Sequence, residues 1–346
     1  MIRLDLGPGD AEGPRAEAKY REAASVLRSW REHGALVPTD GPHLYPYEMR
    51  FALHGRERSI RGLVCAVELE DWGGSIVPHE RTMPGPIEDR LRLMRAVRTN
   101  LSSIHALYRG PNEAVAAYLD EEMAAEPAAV ATDEVGVEHR VWIGAAEPAV
   151  AWALEAETLM IADGHHRYSM SLRYRDEMRS ERGPGPSDRV MMFLADAAIQ
   201  EPPVLPFHRV QTAGPVEAAG RRVLDLGEVL ESVNDDKLVY GLVLEEDGVL
   251  VHRVAELDGP PPTVSALHAQ RLAGDDVELR FTPDAVDAEE AVRTGEAVAA
   301  YVLPPTDASR IRDVIDRGER LPQKSTFFWP KPRTGLVLRP LDLDPS

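Results

Sequence analysis

The sequence predicts an α/β or α+β fold, a mixed sheet with flanking helices, and three observations carry that prediction. Residues 158–162 form an apolar, strand-like run that stops at Asp163-Gly164 and opens into a helical pattern from His165. Residues 44–53 and 60–69 are two aromatic and β-branched runs either side of His54-Gly55, the signature of an antiparallel hairpin. Beyond Gln211 short strands and helices alternate, including 237–244 and 249–254 around Asp247-Gly248.

The elements follow in order. Residues 8–14 are Gly, Pro and acid, so the first element starts after them. Ala23, Ala24, Leu27 and Trp30 recur at helical spacing and Gly34 ends that helix. After the hairpin, 78–86 reads as a loop and 88–101 as a helix with Leu91, Met94 and Val97 on one side. The acidic, alanine-rich 112–133 reads as a peripheral helix, 141–143 as a short strand and 149–157 as a helix. Residues 190–195 form a buried strand, and 308–317 a helix ahead of Leu321. The change of pattern near Gln211 divides the chain into a motif-bearing core, 1–210, and a smaller α+β region, 211–346.

Length and composition bound the function. A chain of 346 residues that is 43% hydrophobic buries a substantial core. Its 58 acidic against 39 basic residues give a net charge of -19, which argues against nucleic acid and anionic membranes as partners, since both demand a spread of Lys and Arg. The start has no basic segment followed by an apolar one, and no stretch is apolar enough for a membrane span, so a cytoplasmic location is expected. The single cysteine, Cys65, falls in a strand pattern and is expected as a small buried hydrophobe.

Against this acidic background, concentrated cations carry information. His165, His166 and Arg167 fall on the first turn of a helix, whose backbone donors and partial positive charge favour acidic neighbours. A phosphate resolves the conflict. The alternative for Arg167 is a plain ion pair with Asp163 or Asp176. A second cluster, Val77-Pro78-His79-Glu80-Arg81-Thr82 with Glu88-Asp89-Arg90, holds the parts phosphoryl transfer requires: Glu80 as general base, Arg81 or Arg90 as anion clamp, and Asp163 or Asp89 as carboxylate for Mg²⁺. In Gln323-Lys324-Ser325-Thr326, Lys324 supplies a point charge for phosphate. His79, Glu80, Asp163, His165 and His166 also include ligand types for a zinc or iron hydrolase, but adjacent helical histidines point apart and the arginines repel a cation.

Those clusters, together with Asn100-Leu101-Ser102-Ser103-Ile104 and 205–209, occur in the same order as in the bacterial and archaeal family DUF1015, a domain of unknown function, which the chain resembles over nearly its whole length. The block from Asp163 to Arg167 further resembles the nucleotide-binding motif of the ParB and sulfiredoxin superfamily, which includes enzymes that phosphorylate free serine. The resemblance implies a ParB/sulfiredoxin-like core, nucleotide phosphates at residues 163–167, and an acidic residue, by analogy Glu80, activating an acceptor hydroxyl. The family usually begins with several tens of residues containing Pro-Pro-Tyr-Asp, which implies a start upstream of Met1 or a missing piece of the site. It commonly has Lys where Ile87 stands and Glu-Thr where Ser169-Met170 stand.

The expectation is a phosphotransferase using Mg²⁺ and a nucleotide, ATP or ADP, on a small hydroxyl compound such as free serine. Glu80, Asp163 and His166 are its catalytic residues; Gly164, His165, Arg167, Arg81 and Lys324 hold the nucleotide. His79, Thr82, Arg90, Asn100 and Ser325 bind substrate, and Asp163 and Asp89 the metal. The competing readings are a phosphate-responsive binding protein with little turnover and a metal-dependent hydrolase.

Overall fold

The computed structural model describes residues 14–53, 55–80, 84–200, 202–256, 277–321 and 324–341. Two compact units emerge: one from residues 1–78, 82–201 and 330–346, the other from 79–81 and 202–329. The boundary expected at 210/211 thus lies near 201/202, and the tail from Pro330 returns to the first unit. The reason is pairing between residues far apart in sequence, which periodicity does not announce.

In the first unit the elements run α1 (Pro14–Glu32), β1 (His43–Leu53), β2 (Arg56–Glu68), β3 (Ile76–Pro78), α2 (Pro84–Val97), β4 (Thr99–Asn100), β5 (Ile104–Tyr108), α3 (Glu113–Glu122), β6 (Ala129–Thr132), β7 (Glu138–Val141), β8 (Gly144–Ala145), α4 (Pro148–Glu155), β9 (Leu159–Asp163), α5 (His165–Arg182) and β10 (Arg189–Asp196). Among the described residues they form a mixed sheet in the order β3-β9-β5-β10-β2-β1-β7-β6, with β8 on β1. β1 and β2 make the expected hairpin, while β9 runs parallel to β3 and antiparallel to β5. The strands bury Leu63, Ile104, Ile161 and Met192 against Val115 and Leu119 of α3 and Tyr168 of α5. α2 lies between two helices, giving Leu93 and Val97 to α1, and Leu91 and Met94 to Met170 and Tyr174 of α5.

Two expectations change. The helix over 112–133 stops at Glu122 and β6 follows, because Pro127 cannot continue a helix and 129–132 pairs with β7. The helix expected over 88–101 ends at Val97, and β4 pairs with β19 (Arg339–Pro340) of the tail. Cys65 is half-buried at the edge of the core, and burial pushes its thiol up to about 12, so it is an inert group.

The second unit contains β11 (Val204–Pro206), β12 (His208–Gln211), β13 (Arg221–Val223), α6 (Leu226–Ser232), β14 (Val239–Glu246), β15 (Val249–Glu256), β16 (Leu279–Thr282), α7 (Ala285–Arg293), β17 (Ala299–Val302), α8 (Ala308–Asp316) and β18 (Thr326–Phe328). An antiparallel sheet, ordered β13-β15-β14-β17-β12-β16, packs Val210, Val243 and Ala300 against Val229 of α6 and Ala288 and Val292 of α7. At the β14–β15 turn Asp247 and Gly248 both have positive φ, 53° and 76°, the pair of conformations that matches the twist of a two-residue hairpin. Among the described residues no helix is long and apolar enough to cross a membrane.

Candidate functional site

The first cluster is built where β9 ends and α5 begins. Leu159 to Ala162 are buried, Asp163 emerges half-buried, and Gly164 turns the chain at φ 108°. That conformation strains any other residue, and a Cβ there would stand 3.1–3.2 Å from the Arg167 guanidinium. Gly164 has no side chain to cap the helix, and the first turn of α5 contains no acidic residue. The helix is fixed in the core by Tyr168, whose hydroxyl donates to the Glu70 carbonyl at 2.7 Å, and by Arg175, which donates to the Leu69 carbonyl at 3.1 Å and pairs with Asp71.

Arg167 folds back over this turn. Its Nη1 donates to Ser102 Oγ at 2.8 Å and to the Ser103 carbonyl at 2.5 Å, while Nη2 donates to Asp163 Oδ2. The other Asp163 oxygen accepts from Lys331 Nζ. Burial pushes the Asp163 carboxyl up, but the Arg167 and Lys331 charges overcome it and hold the group well below the usual carboxylate range. The ion pair that the sequence offered as an alternative for Arg167 is therefore present, and it is one part of a cluster with two cations to one carboxylate. His105 stands opposite Asp163 in the β5–β9 register, fully buried, and burial lowers its imidazole to about 4. His165 is buried at 7% exposure and His166 half-buried.

A cleft beside this turn is lined by Arg167 and Ser171 of α5, Arg90 and Met94 of α2, and Asn100 and Ser102 of the intervening segment. The structure thus brings three predicted residues, Arg90, Asn100 and Arg167, to one cavity. Asn100 also has a structural task, since its Oδ1 accepts from the Met191 amide at 3.1 Å.

Asp89, expected on a metal, is engaged elsewhere. Its carboxylate accepts from Lys19 Nζ at 3.0 Å and Tyr20 Oη at 2.6 Å, joining α2 to α1. Among the described residues no three His, Cys, Asp or Glu gather to hold an ion. With Asp163 neutralised by two cations, the residues present do not fit a protein-held Mg²⁺ or a zinc or iron centre.

The second cluster belongs to the other unit. Glu80 Oε1 accepts from the Ser325 and Thr326 amides, each at 3.2 Å, and from Thr326 Oγ1 at 3.0 Å. His79, fully buried, reaches Thr326 Oγ1 at 2.7 Å and lies edge-on to Phe328. Arg209 is 2% exposed; burial lowers its guanidinium to about 10, opposed by the nearby Glu80 charge. Lys324 Nζ lies 5.3 Å from the Phe207 ring centre. His79, Glu80 and Ser325 are therefore together, with Glu80 acting as a clamp on 325–326. Arg81 and Thr82 lie outside the described residues.

Glu80→Gln tests that clamp. A neutral amide weakens three charge-assisted bonds and removes the charge that compensates Arg209, so the urea midpoint should fall by about 1–3 kcal/mol equivalent. An unchanged midpoint would show that Glu80 is dispensable to its own unit.

Lys331, Ser102 and Ser103 were not assigned roles from sequence. The Ser pair lay in view in the 100–104 segment, and Lys331 carries one local sign, a cation set between Pro330 and Pro332.

A family model described as a protein of unknown function, DUF1015, matches residues 1–269. No curated protein matches the sequence. Similar solved structures include a free serine kinase in complex with AMP (13% identity, covering 79% of this chain and 91% of that one, TM-score 0.43). Others are SbnI with a C-terminal truncation from Staphylococcus aureus (10%, 82% and 90%, 0.45) and a conserved hypothetical protein from Pyrococcus furiosus (13%, 78% and 93%, 0.39).

Proposed function

Since the chain belongs to the DUF1015 family, whose members are defined by sequence and not by activity, we propose from its geometry that it is a nucleotide-dependent phosphotransferase with its phosphate site at residues 163–167. The observation that carries this reading is the convergence of Arg167 and Lys331 on Asp163 at the capless start of α5. Two cations, Arg167 and Lys331, are concentrated at that turn in a protein of net charge -19, which supports an anion as its ligand.

The residues divide the work by chemistry. Arg167 presents a planar fork already aimed by Ser102 and Ser103, suited to a phosphate's paired oxygens. Gly164 lets the backbone approach the ligand closely, and His165 and His166 flank it. In the cleft, Leu93, Met94 and Ile104 supply apolar surface, while Arg90 and Ser102 supply polar contacts for a small hydroxyl-bearing acceptor such as free serine. In the transfer, the acceptor oxygen bonds phosphorus as the bond to the nucleotide breaks, and the acceptor's proton passes to a base, for which His166 is the candidate in this unit.

Incubation with ATP or ADP and a panel of small hydroxyl compounds, followed by ³¹P NMR, should yield a new phosphomonoester signal that Arg167→Lys removes. The second reading, phosphate binding with little turnover, is favoured by one observation: both carboxylates expected to act chemically, Asp163 and Glu80, are occupied by donors. Saturable nucleotide binding with no phosphomonoester would select it.

A further inference from the structure

We propose that Lys331 is itself a phosphate-binding residue of this site, delivered by a strap, residues 330–334, whose position is set by a relay from half-buried Asp133 through buried His139 and Tyr47. The role rests on the reading of 163–167 as a phosphate site. Lys331 lies between two prolines; each fixes φ, and the second holds Lys331 in extended backbone, so its amine reaches Asp163 from a stiff support. Thr334, three residues on, lines the cleft, so the same strap contributes to its wall.

The strap has two anchors. Arg333 forms a bidentate pair with Glu134 at 2.6 and 2.7 Å, but Glu134 is 66% exposed and such pairs contribute little. The stronger anchor is internal. The Arg333 amide donates to Tyr47 Oη at 2.9 Å, and a backbone amide can only donate. Asp133 Oδ2 can only accept, so His139 Nε2 donates to it at 3.3 Å, and in the neutral ring that leaves Nδ1 to accept from the Tyr47 hydroxyl 2.9 Å away. Tyr47 is 1% exposed and His139 fully buried, so no water replaces a lost partner cheaply. Tyr47 touches the strap and His139 and Asp133 hold Tyr47 in turn, so all three are positioning residues; of the strap and relay, only Lys331 reaches the ligand.

Calorimetric titration with ADP and with inorganic pyrophosphate tests this in wild type, Lys331→Met, Tyr47→Phe and the double variant. Lys331→Met keeps the alkyl stem and should weaken both ligands about tenfold or more. Tyr47→Phe should weaken them about threefold or more, and should add nothing in the Lys331→Met background, because the relay acts through that amine. Unchanged affinity in Lys331→Met, or a Tyr47→Phe loss equal in both backgrounds, overturns the proposal while leaving the site. If wild type binds neither ligand, the site reading itself fails and the role of Lys331 falls with it.

Discussion

Arg167→Lys should reduce nucleotide affinity about a hundredfold. The guanidinium reaches Ser102, Ser103 and Asp163 at once, and a lysine ammonium, a compact point charge on a flexible stem, cannot reproduce that fork. What remains is a positive charge in roughly the right place, so the loss reports geometry and not charge. Arg167→Met goes further, because it leaves the half-buried Asp163 with Lys331 alone; truncating one member of a desolvated ionic cluster costs about 2–5 kcal/mol of binding where the ligand depended on it. Calorimetry with ADP reads both variants. Equal affinity in wild type and Arg167→Lys would show that the fork binds only its own protein.

Acidification from pH 7 to pH 4 should destabilise both units. His105 in the first and His208 in the second are buried, and burial lowers each imidazole to about 4; His208 Nδ1 also accepts from the Leu303 amide at 3.1 Å. In the unfolded chain a histidine titrates near about 6.5. Between those values the unfolded state binds a proton that the folded state refuses, so stability rises with pH across the window. It is fully present above about 6.5 and lost as pH falls towards about 4, with a limiting slope of about 1.4 kcal/mol per pH unit for each histidine. Asp163 adds a later loss: its carboxyl is held low by Arg167 and Lys331, so its contribution disappears only below about 3.9, the unfolded carboxylate value. Urea midpoints from pH 4 to 7 should slope upward in wild type and less steeply in His105→Gln and His208→Gln. A flat wild-type profile would contradict the neutral, buried assignment.

Local order was legible in the sequence, and contacts across long separations were not. The helix from Ala23 to Trp30, the β1–β2 hairpin and the passage from β9 through Gly164 into α5 each follow from periodicity or turn chemistry within a dozen residues. The stop at Glu122 was missed because alanine-rich composition outweighed the warning of Pro127. The partners of Asp163 split along the same line. Arg167 lies one helical turn away and was visible; Lys331 lies 168 residues away and has no periodic or compositional link to it. His105 was invisible for a similar reason, since only the register of β5 on β9 sets it opposite Asp163. Among the candidates, His79 and Glu80 proved to form one cluster with Ser325 and Thr326 in the second unit, joined by Glu80 and Thr326.

Amide NMR of ¹⁵N-labelled protein titrated with ADP would examine the phosphate site at its centre. A phosphate site at this turn should give saturable shifts at the Gly164, His165, His166 and Arg167 amides, at the same ADP concentration as shifts in the Ser102 and Thr334 amides of the cleft. Saturable binding that leaves the 164–167 amides unmoved, or no binding at all, would contradict it.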